Sequence, residues 1–232
     1  MVMEIDCNRC SNTNCLLKKS NIVALINSLK STYKLKAEQF VFKENFQFDG
    51  IYIIQSGKVK VVSFGYKNRV QTIRLTKNGD LLGYRALGQN TFSNSAITIE
   101  DSTLCFLEGE LFYELLKKEN VLAYNLMLFY AEELRIAEVR MKTLSQMTVN
   151  EKVIDAILIA YNNYGTIDNN GILEIDADLS RVDISEVAGI RSDQFIKVFS
   201  ELKNMGKIHF NKNKHLIIDD IEYLRDQVKI YR

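Results

Sequence analysis

The hydrophobic period of this chain changes twice along its length, and those changes bound what it can fold into. From position 41 to about 107, apolar residues come in short runs broken by Gly and Asn, at 51–54, 58–64, 70–75, 80–82, 96–98 and 104–107. Within them Gly57-Lys58-Val59-Lys60-Val61-Val62 alternates polar and apolar, as a strand buried on one face does. Many short strands separated by turn residues predict a compact antiparallel β-roll, jelly-roll-like, rather than a βαβ array. Ahead of the roll, 16–36 reads as a short amphipathic helix with Leu25, Ile26 and Leu29 at helical spacing.

From about 110 to 146 the period becomes that of a long helix. Met127, Tyr130, Leu134, Ala137, Met141 and Leu144 follow one another at steps of 3, 4, 3, 4 and 3. That is a heptad seam, and Glu132, Glu133, Arg135, Glu138 and Arg140 around it suit a helix that pairs with a second copy of itself. A second stripe, Leu122, Leu126, Phe129 and Ile136, is left to pack on the helix's own domain.

Beyond Met147 the pattern changes again: a helix over 148–164, a short strand over 172–175 after the turn Asn169-Asn170-Gly171, then Ser180-Arg181-Val182-Asp183. The Ser-x-x-Asp spacing is that of a capping box, and it predicts a helix through Val187. Ala188-Gly189-Ile190 is a tight turn, and Ser192 or Asp193 opens a second helix to about Asn204, stopped by Gly206. A hairpin follows over 208–219, with Asn211-Lys212-Asn213-Lys214 at its tip, and a last helix over 221–231. Two short helices joined by a Gly-containing turn make a helix-turn-helix, and the hairpin makes it winged. Arg191, Ser192, Asp193 and Lys197 fall on the outward side of the second helix and suit base edges. Phe195, Ile196, Val198, Phe199 and Leu202 are assigned inward. The fold class is therefore α+β, with a β-roll sensor domain and its long helix over 1–147 and a winged helix-turn-helix over 148–232.

Charge supports a binding face, not a binding domain. The whole chain has 30 Lys and Arg against 29 Asp and Glu, which excludes a protein that coats polyanions by bulk charge. Between 181 and 216 there are seven basic and four acidic residues, although the segment 149–232 holds 11 basic and 14 acidic. The longest charge-free apolar run, 121–131, is 11 residues, short of the roughly 20 that span a bilayer. The first 20 residues lack the apolar core of an export signal, so a cytoplasmic protein without a membrane role is expected.

Four cysteines complete the reading. Cys7, Cys10 and Cys15 crowd one end and Cys105 stands alone. With 47% hydrophobic residues the chain has no need of disulfide staples, so three clustered cysteines and one distant one suggest ligands. His209 and His215 fall on the hairpin and read as surface histidines.

The chain resembles the Crp–Fnr family of bacterial transcription regulators over nearly its whole length. The resemblance is carried by Tyr52-Ile53-Ile54-Gln55-Ser56-Gly57-Lys58-Val59-Lys60-Val61, by Asn78-Gly79-Asp80-Leu81-Leu82-Gly83, and by 179–190, Leu-Ser-Arg-Val-Asp-Ile-Ser-Glu-Val-Ala-Gly-Ile. It implies a homodimer on a palindromic double-stranded DNA operator, with RNA polymerase as a further partner and no enzymatic activity. It implies a phosphate contact at Arg181 and base-reading positions at Ser192, Asp193 and Lys197, where Asp193 and Lys197 depart from the family's Glu and Arg. The cyclic-nucleotide branch needs a Gly-Glu pair and an Arg-Ser/Thr-Ala triplet. Here Gly83-Tyr84 and Asn94-Ser95-Ala96 stand instead, so cAMP is not expected, and Tyr84, Arg85, Asn94 and Ser95 either line a different effector pocket or fill the space. The cysteines resemble those of the oxygen-responsive Fnr branch, which hold a [4Fe–4S] cluster; the second spacer, Cys10-x4-Cys15, is one residue shorter than in that branch's best-known form. Zinc at the same sulfurs, bare thiols, or an organic effector are the alternatives within the regulator class. Outside it stand a thiol redox protein, which the absence of a βαβ setting around Cys7-x2-Cys10 disfavours, and a small-molecule module that does not bind DNA.

Overall fold

The structure, a computed structural model, describes residues 6–168, 171–212 and 214–231. Asn169, Asn170 and Asn213, which the sequence places in turns, lie outside the described residues. The chain divides into two compact units, one of residues 1–63 and 76–136 and the other of 64–75 and 137–232.

The first unit begins with a 3-10 turn, Leu16–Lys19, and helix α1, Val23–Leu29. The expected helix over 16–36 is therefore much shorter, because 31–35 is recruited into a sheet. Strand β1, Ser31–Leu35, pairs antiparallel with the strand that carries Cys105, and its Thr32 and Tyr33 suit a strand better than a helix. The strands that follow in the chain are β2 (Phe40–Phe42), β3 (Gly50–Ser56), β4 (Val59–Phe64), β5 (Val70–Thr76), β6 (Leu81–Leu82), β7 (Ser95–Thr98) and β8 (Ser102–Glu108). They form two antiparallel sheets with orders β1-β8-β3-β6 and β2-β7-β4-β5, the roll expected from the short β-runs.

Strand alternation sorts β8 between two cores. Leu104 and Phe106 join Tyr52, Ile54 and Leu82 against Phe42, Val59, Val61 and Ala96 in the interior of the roll. Cys105 and Leu107 turn to the opposite face with Ile51, Ile53 and Leu81. That second face is also covered: Leu16, Leu17 and Ile26 pack on it, as do Phe112, Leu115, Leu122 and Leu126 from the helices that follow.

Those helices are two, where the sequence reads as one. Helix α2 spans Gly109–Lys118 and α3 spans Asn120–Gln146, with Glu119 extended between them. Glu119 interrupts the run because its carboxylate accepts the Val121 N–H at 3.2 Å, acting as a cap at the start of α3.

In the second unit Thr148 opens α4, Val149–Tyr164, through a complete capping box with Glu151. Strands β9 (Gly165–Ile167), β10 (Leu173–Ile175), β11 (Ile208–Phe210) and β12 (Leu216–Ile218) form a sheet of order β11-β12-β10-β9; β9 has no counterpart in the sequence reading. Between β10 and β11 lie α5, Arg181–Ala188, and α6, Ser192–Asn204, and the chain closes with α7, Ile221–Val228. Among the described residues no helix is long and apolar enough to cross a membrane.

Candidate metal centre and nucleic-acid interface

Cys7, Cys10, Cys15 and Cys105 line one cavity, together with Asn12, Leu17, Lys18, Lys30, Ile53 and Gln55. The juxtaposition has three local causes. Alternation on β8 turns Cys105 out of the roll interior. The 3-10 turn that buries Leu16 and Leu17 anchors Cys15, its N-cap residue. The segment before it is tied down by polar bonds: the Cys7 N–H donates to Asn27 Oδ1 at 2.9 Å, Asn12 Nδ2 to Gln55 O at 2.8 Å, and Lys18 Nζ to Cys10 O at 2.7 Å. Lys19, by contrast, is exposed.

Burial raises the pKa of the Cys7 and Cys15 thiols, and pushes Cys105 up to about 11. Burial strips a thiolate of its hydration, so its neutral form is favoured. In metal-free protein, Cys105 should react with iodoacetamide at pH 8 about a hundredfold more slowly than an ordinary thiol, since only the thiolate attacks. The rate should then climb roughly tenfold per pH unit until near 11. A flat profile would place the thiol elsewhere.

The donor set fits a thiolate-bound iron–sulfur cluster. Four sulfurs face the cavity, the cations Lys18 and Lys30 share its wall, and the buried Gln55 Oε1 has no hydrogen-bond partner. Among the described residues no three His, Cys, Asp or Glu side chains are gathered closely enough for a single metal ion.

The second group of candidates, Tyr84, Arg85, Asn94 and Ser95, is built differently. Gly83 adopts φ 79°, and a Cβ there would lie 2.9 Å from Gly50 O, so only glycine delivers the chain into Tyr84 at this spot. Tyr84 is 4% exposed; its ring packs edge-on against Phe129 and Tyr130, and its hydroxyl donates to Glu133 on α3. Arg85 reaches the same carboxylate at 3.4 Å, and the Tyr130 hydroxyl donates to Tyr84 O. Asn94 and Ser95 are buried, with Ser95 Oγ accepting the Glu44 N–H at 2.9 Å. Side chains of the protein occupy this region and tie it to α3, which the sequence alone does not reveal.

On α3 the seam residues are largely uncovered: Leu134 is 61% and Met141 69% exposed, and Met127 and Ala137 are exposed as well. Tyr130 lies at the margin, bonded to Tyr84, and Leu144 is half-buried. The second stripe holds for Leu122, Leu126 and Phe129, which pack on the roll, but Ile136 is exposed and extends the apolar strip.

The helix-turn-helix forms through its caps. Ser180 and Asp183 exchange both capping-box bonds at the start of α5, and Gly189 takes the left-handed conformation, φ 67°, that ends it. Phe195, Val198, Phe199 and Leu202 bury the inner side of α6; Ile196, assigned inward from the sequence, is 48% exposed. It sits one residue before Lys197 on the solvent side, because Phe195 and Phe199, with ring centroids 5.4 Å apart, already fill the inner stripe. Arg191, Ser192, Asp193 and Lys197 are all exposed. Arg191 Nε pairs with Asp193 Oδ1 at 2.9 Å, which holds the Asp193 carboxyl below its usual range. Arg181 lies 5.6 Å from the Phe199 ring and 5.4 Å from that of Phe210, joining α5 to α6 and the wing through cation–π contacts. His209 pairs with Asp219 and His215 with Glu174. Arg140 ties α3 into this unit: it bonds Asp155 Oδ2 at 2.6 Å and donates to Val187 O, at the end of α5.

Comparison with known proteins agrees with this architecture. The family model described as cyclic nucleotide-binding domain matches residues 33–119. The "Anaerobic regulatory protein" of Bacillus subtilis is 20% identical over 215 residues, covering 92% of this chain and 90% of that protein. The "Transcriptional activator protein anr" of Pseudomonas aeruginosa is 24% identical, covering 93% of this chain and 90% of its own. Among solved structures, FixK2 from Bradyrhizobium japonicum superposes with a TM-score of 0.73 at 19% identity, over 85% of this chain and 96% of that one. The chain is thus similar over nearly its whole length to proteins named as an anaerobic regulator and a transcriptional activator, and it shares the fold of FixK2.

Proposed function

We propose that the chain is a homodimeric, sequence-specific DNA-binding transcription regulator, cytoplasmic, whose four cysteines hold a [4Fe–4S] cluster that reports oxygen or redox state. The observation that carries the sensing half is the cavity: cysteines as far apart as Cys7 and Cys105 share one wall with two lysines. Four thiolates satisfy the four irons of a cubane, with none to spare. When bound, such a cluster supplies a redox-sensitive link among its four ligands. The protein's own part is to hold the 7–15 segment against β8 and to exclude water with Leu17 and Ile53. Because α1, α2 and the first turns of α3 pack on the face that bears Cys105, a change in how that segment is held bears on the helix with the exposed seam. The resemblance to cyclic-nucleotide-binding domains concerns the roll; Tyr84, in the place of the family's Glu, is committed to Glu133.

The reading half rests on α6 with its exposed Arg191, Ser192, Asp193 and Lys197. Two such heads related by a two-fold axis address half-sites about 34 Å apart, one helical turn of DNA. RNA polymerase is the further partner of such a regulator. The test is a gel shift on operator and random duplexes across a salt series. Arg181→Ala should weaken binding to both and reduce the salt slope by about 1, as loss of one phosphate contact does. Lys197→Ala should cost about 1–3 kcal/mol on the operator and relax preference at one position in each half-site. Equal losses on both duplexes for Lys197→Ala would defeat the assignment of α6 as the reader.

A further inference from the structure

The cysteine cavity contains a cation that the sequence gives little reason to place there. Lys30 is 4% exposed, yet it lines the same wall as Cys7, Cys10, Cys15 and Cys105. Its position is set by backbone geometry. Lys30 ends α1, its N–H donating to Ile26 O at 3.0 Å, and its own backbone is already extended as it leads into β1. Two residues on, Thr32 lies opposite Cys105 in the β1–β8 register. Side chains at i and i+2 of extended chain share a face, so Lys30 is delivered to the side of the sheet that carries Cys105.

A buried cation acts on neighbouring charge more strongly than an exposed one, because little water screens it. The charge of Lys30 is felt at both ends of the cavity, since it is the largest charge acting on Cys7 and on Cys105. Lys18, on the same wall, is half-buried and donates to Cys10 O.

We propose that Lys30 is the built-in counter-charge of the cavity, and that it sets the redox poise of the thiolate-ligated cluster bound there. The proposal rests on the cluster reading given above. A cluster held by four thiolates carries net negative charge, and each added electron makes it more negative. A fixed cation beside it therefore favours the electron-rich state and raises the reduction potential. When one electron passes from the cluster to dioxygen or another one-electron acceptor, the acceptor is reduced and the site loses one negative charge. Lys30 opposes that loss, so it also slows oxidative destruction of the cluster.

The experiment compares full-length wild type, Lys30→Met and Lys30→Arg after anaerobic reconstitution with iron and sulfide. Iron and sulfide per chain are measured first, and the midpoint potential is then read by a redox titration followed in the visible spectrum. Lys30→Met should shift the ratio of oxidised to reduced cluster about tenfold toward oxidised at a fixed potential, equivalent to a midpoint about 59 mV lower for a one-electron couple. Its visible absorption should also bleach faster in air. Lys30→Arg, which keeps the charge, should restore the wild-type midpoint, a result that a purely packing role would not give. If Lys30→Met fails to fold by far-UV circular dichroism, Lys30→Gln takes its place under the same criterion. A loaded Met or Gln variant with the wild-type midpoint overturns the role of Lys30 and leaves the cluster reading standing. Wild-type protein that takes up no iron and sulfide overturns the cluster reading, and this proposal with it.

Discussion

Cys105→Ser should leave the anaerobically reconstituted protein without stoichiometric iron and sulfide, while its fold is kept. The other three cysteines lie within nine positions of one another at one end of the chain; Cys105 is the one cysteine that comes from a strand of the roll. A serine hydroxyl is nearly the size of a thiol but does not supply the soft thiolate that iron–sulfur sites select. The substitution leaves Leu104, Phe106 and Leu107 in their two cores, and Cys105 itself is only half-buried, so the stability cost should stay within about 1 kcal/mol. Loss of cluster is therefore separable from loss of fold by circular dichroism. On the same grounds, anaerobic operator binding should fall to that of the metal-free protein. A Cys105→Ser protein that retains full iron and sulfide would remove Cys105 from the ligand set.

Leu134→Asp should convert the protein to a monomer at micromolar concentration and reduce operator affinity by about 10²–10⁴-fold. The strip Met127, Leu134, Ile136, Val139 and Met141 is exposed on a helix of 27 residues, more apolar surface than a solvated helix has reason to carry. Pairing with a second copy buries it, and a charge at the middle of that seam is then desolvated without a partner. Truncating one such core residue costs about 2–5 kcal/mol, enough to dissociate a dimer of ordinary affinity. The loss on DNA follows from linkage of two heads: once the seam is broken, the second half-site is no longer bound intramolecularly, and that avidity is worth about 10²–10⁴. Sedimentation velocity reads the first effect and an operator gel shift the second. A Leu134→Asp protein that remains dimeric contradicts the seam.

Much of this was legible in the sequence because it was written in local signals. The Ser180–Asp183 capping box forms with both of its bonds, and α6 runs from Ser192 to Asn204, where the sequence opens it at Ser192 or Asp193 and stops it at Gly206. The turn of Cys105 away from the roll interior follows from the period-two alternation of Leu104, Cys105 and Phe106. The errors came where a distant partner decided a local choice. Residues 31–35 have ambiguous propensity, and pairing with β8 made them a strand. One carboxylate, that of Glu119, split the long helix into α2 and α3. Ile136 and Ile196 are exposed because neighbouring residues fill the inner stripes, a matter of packing that a helical wheel does not contain. Lys30, Asn12 and Gln55 were missed at the cysteine cavity for the same reason: nothing in a single lysine, asparagine or glutamine announces that a strand register will carry it to a thiol 75 residues away in the case of Lys30. The Arg181 guanidinium over Phe199 and Phe210, and the Tyr84–Glu133 bond, are likewise three-dimensional facts without a sequence signature.

The central claim is that the four cysteines form one iron–sulfur site in a DNA-binding regulator. Its most direct test is the iron, acid-labile sulfide and visible absorption of wild-type protein purified or reconstituted under strict exclusion of oxygen. The prediction is about four irons and four sulfides per chain, the content of one cubane, with a broad visible band that bleaches on exposure to air. Anaerobic protein that holds no stoichiometric iron and sulfide would contradict it.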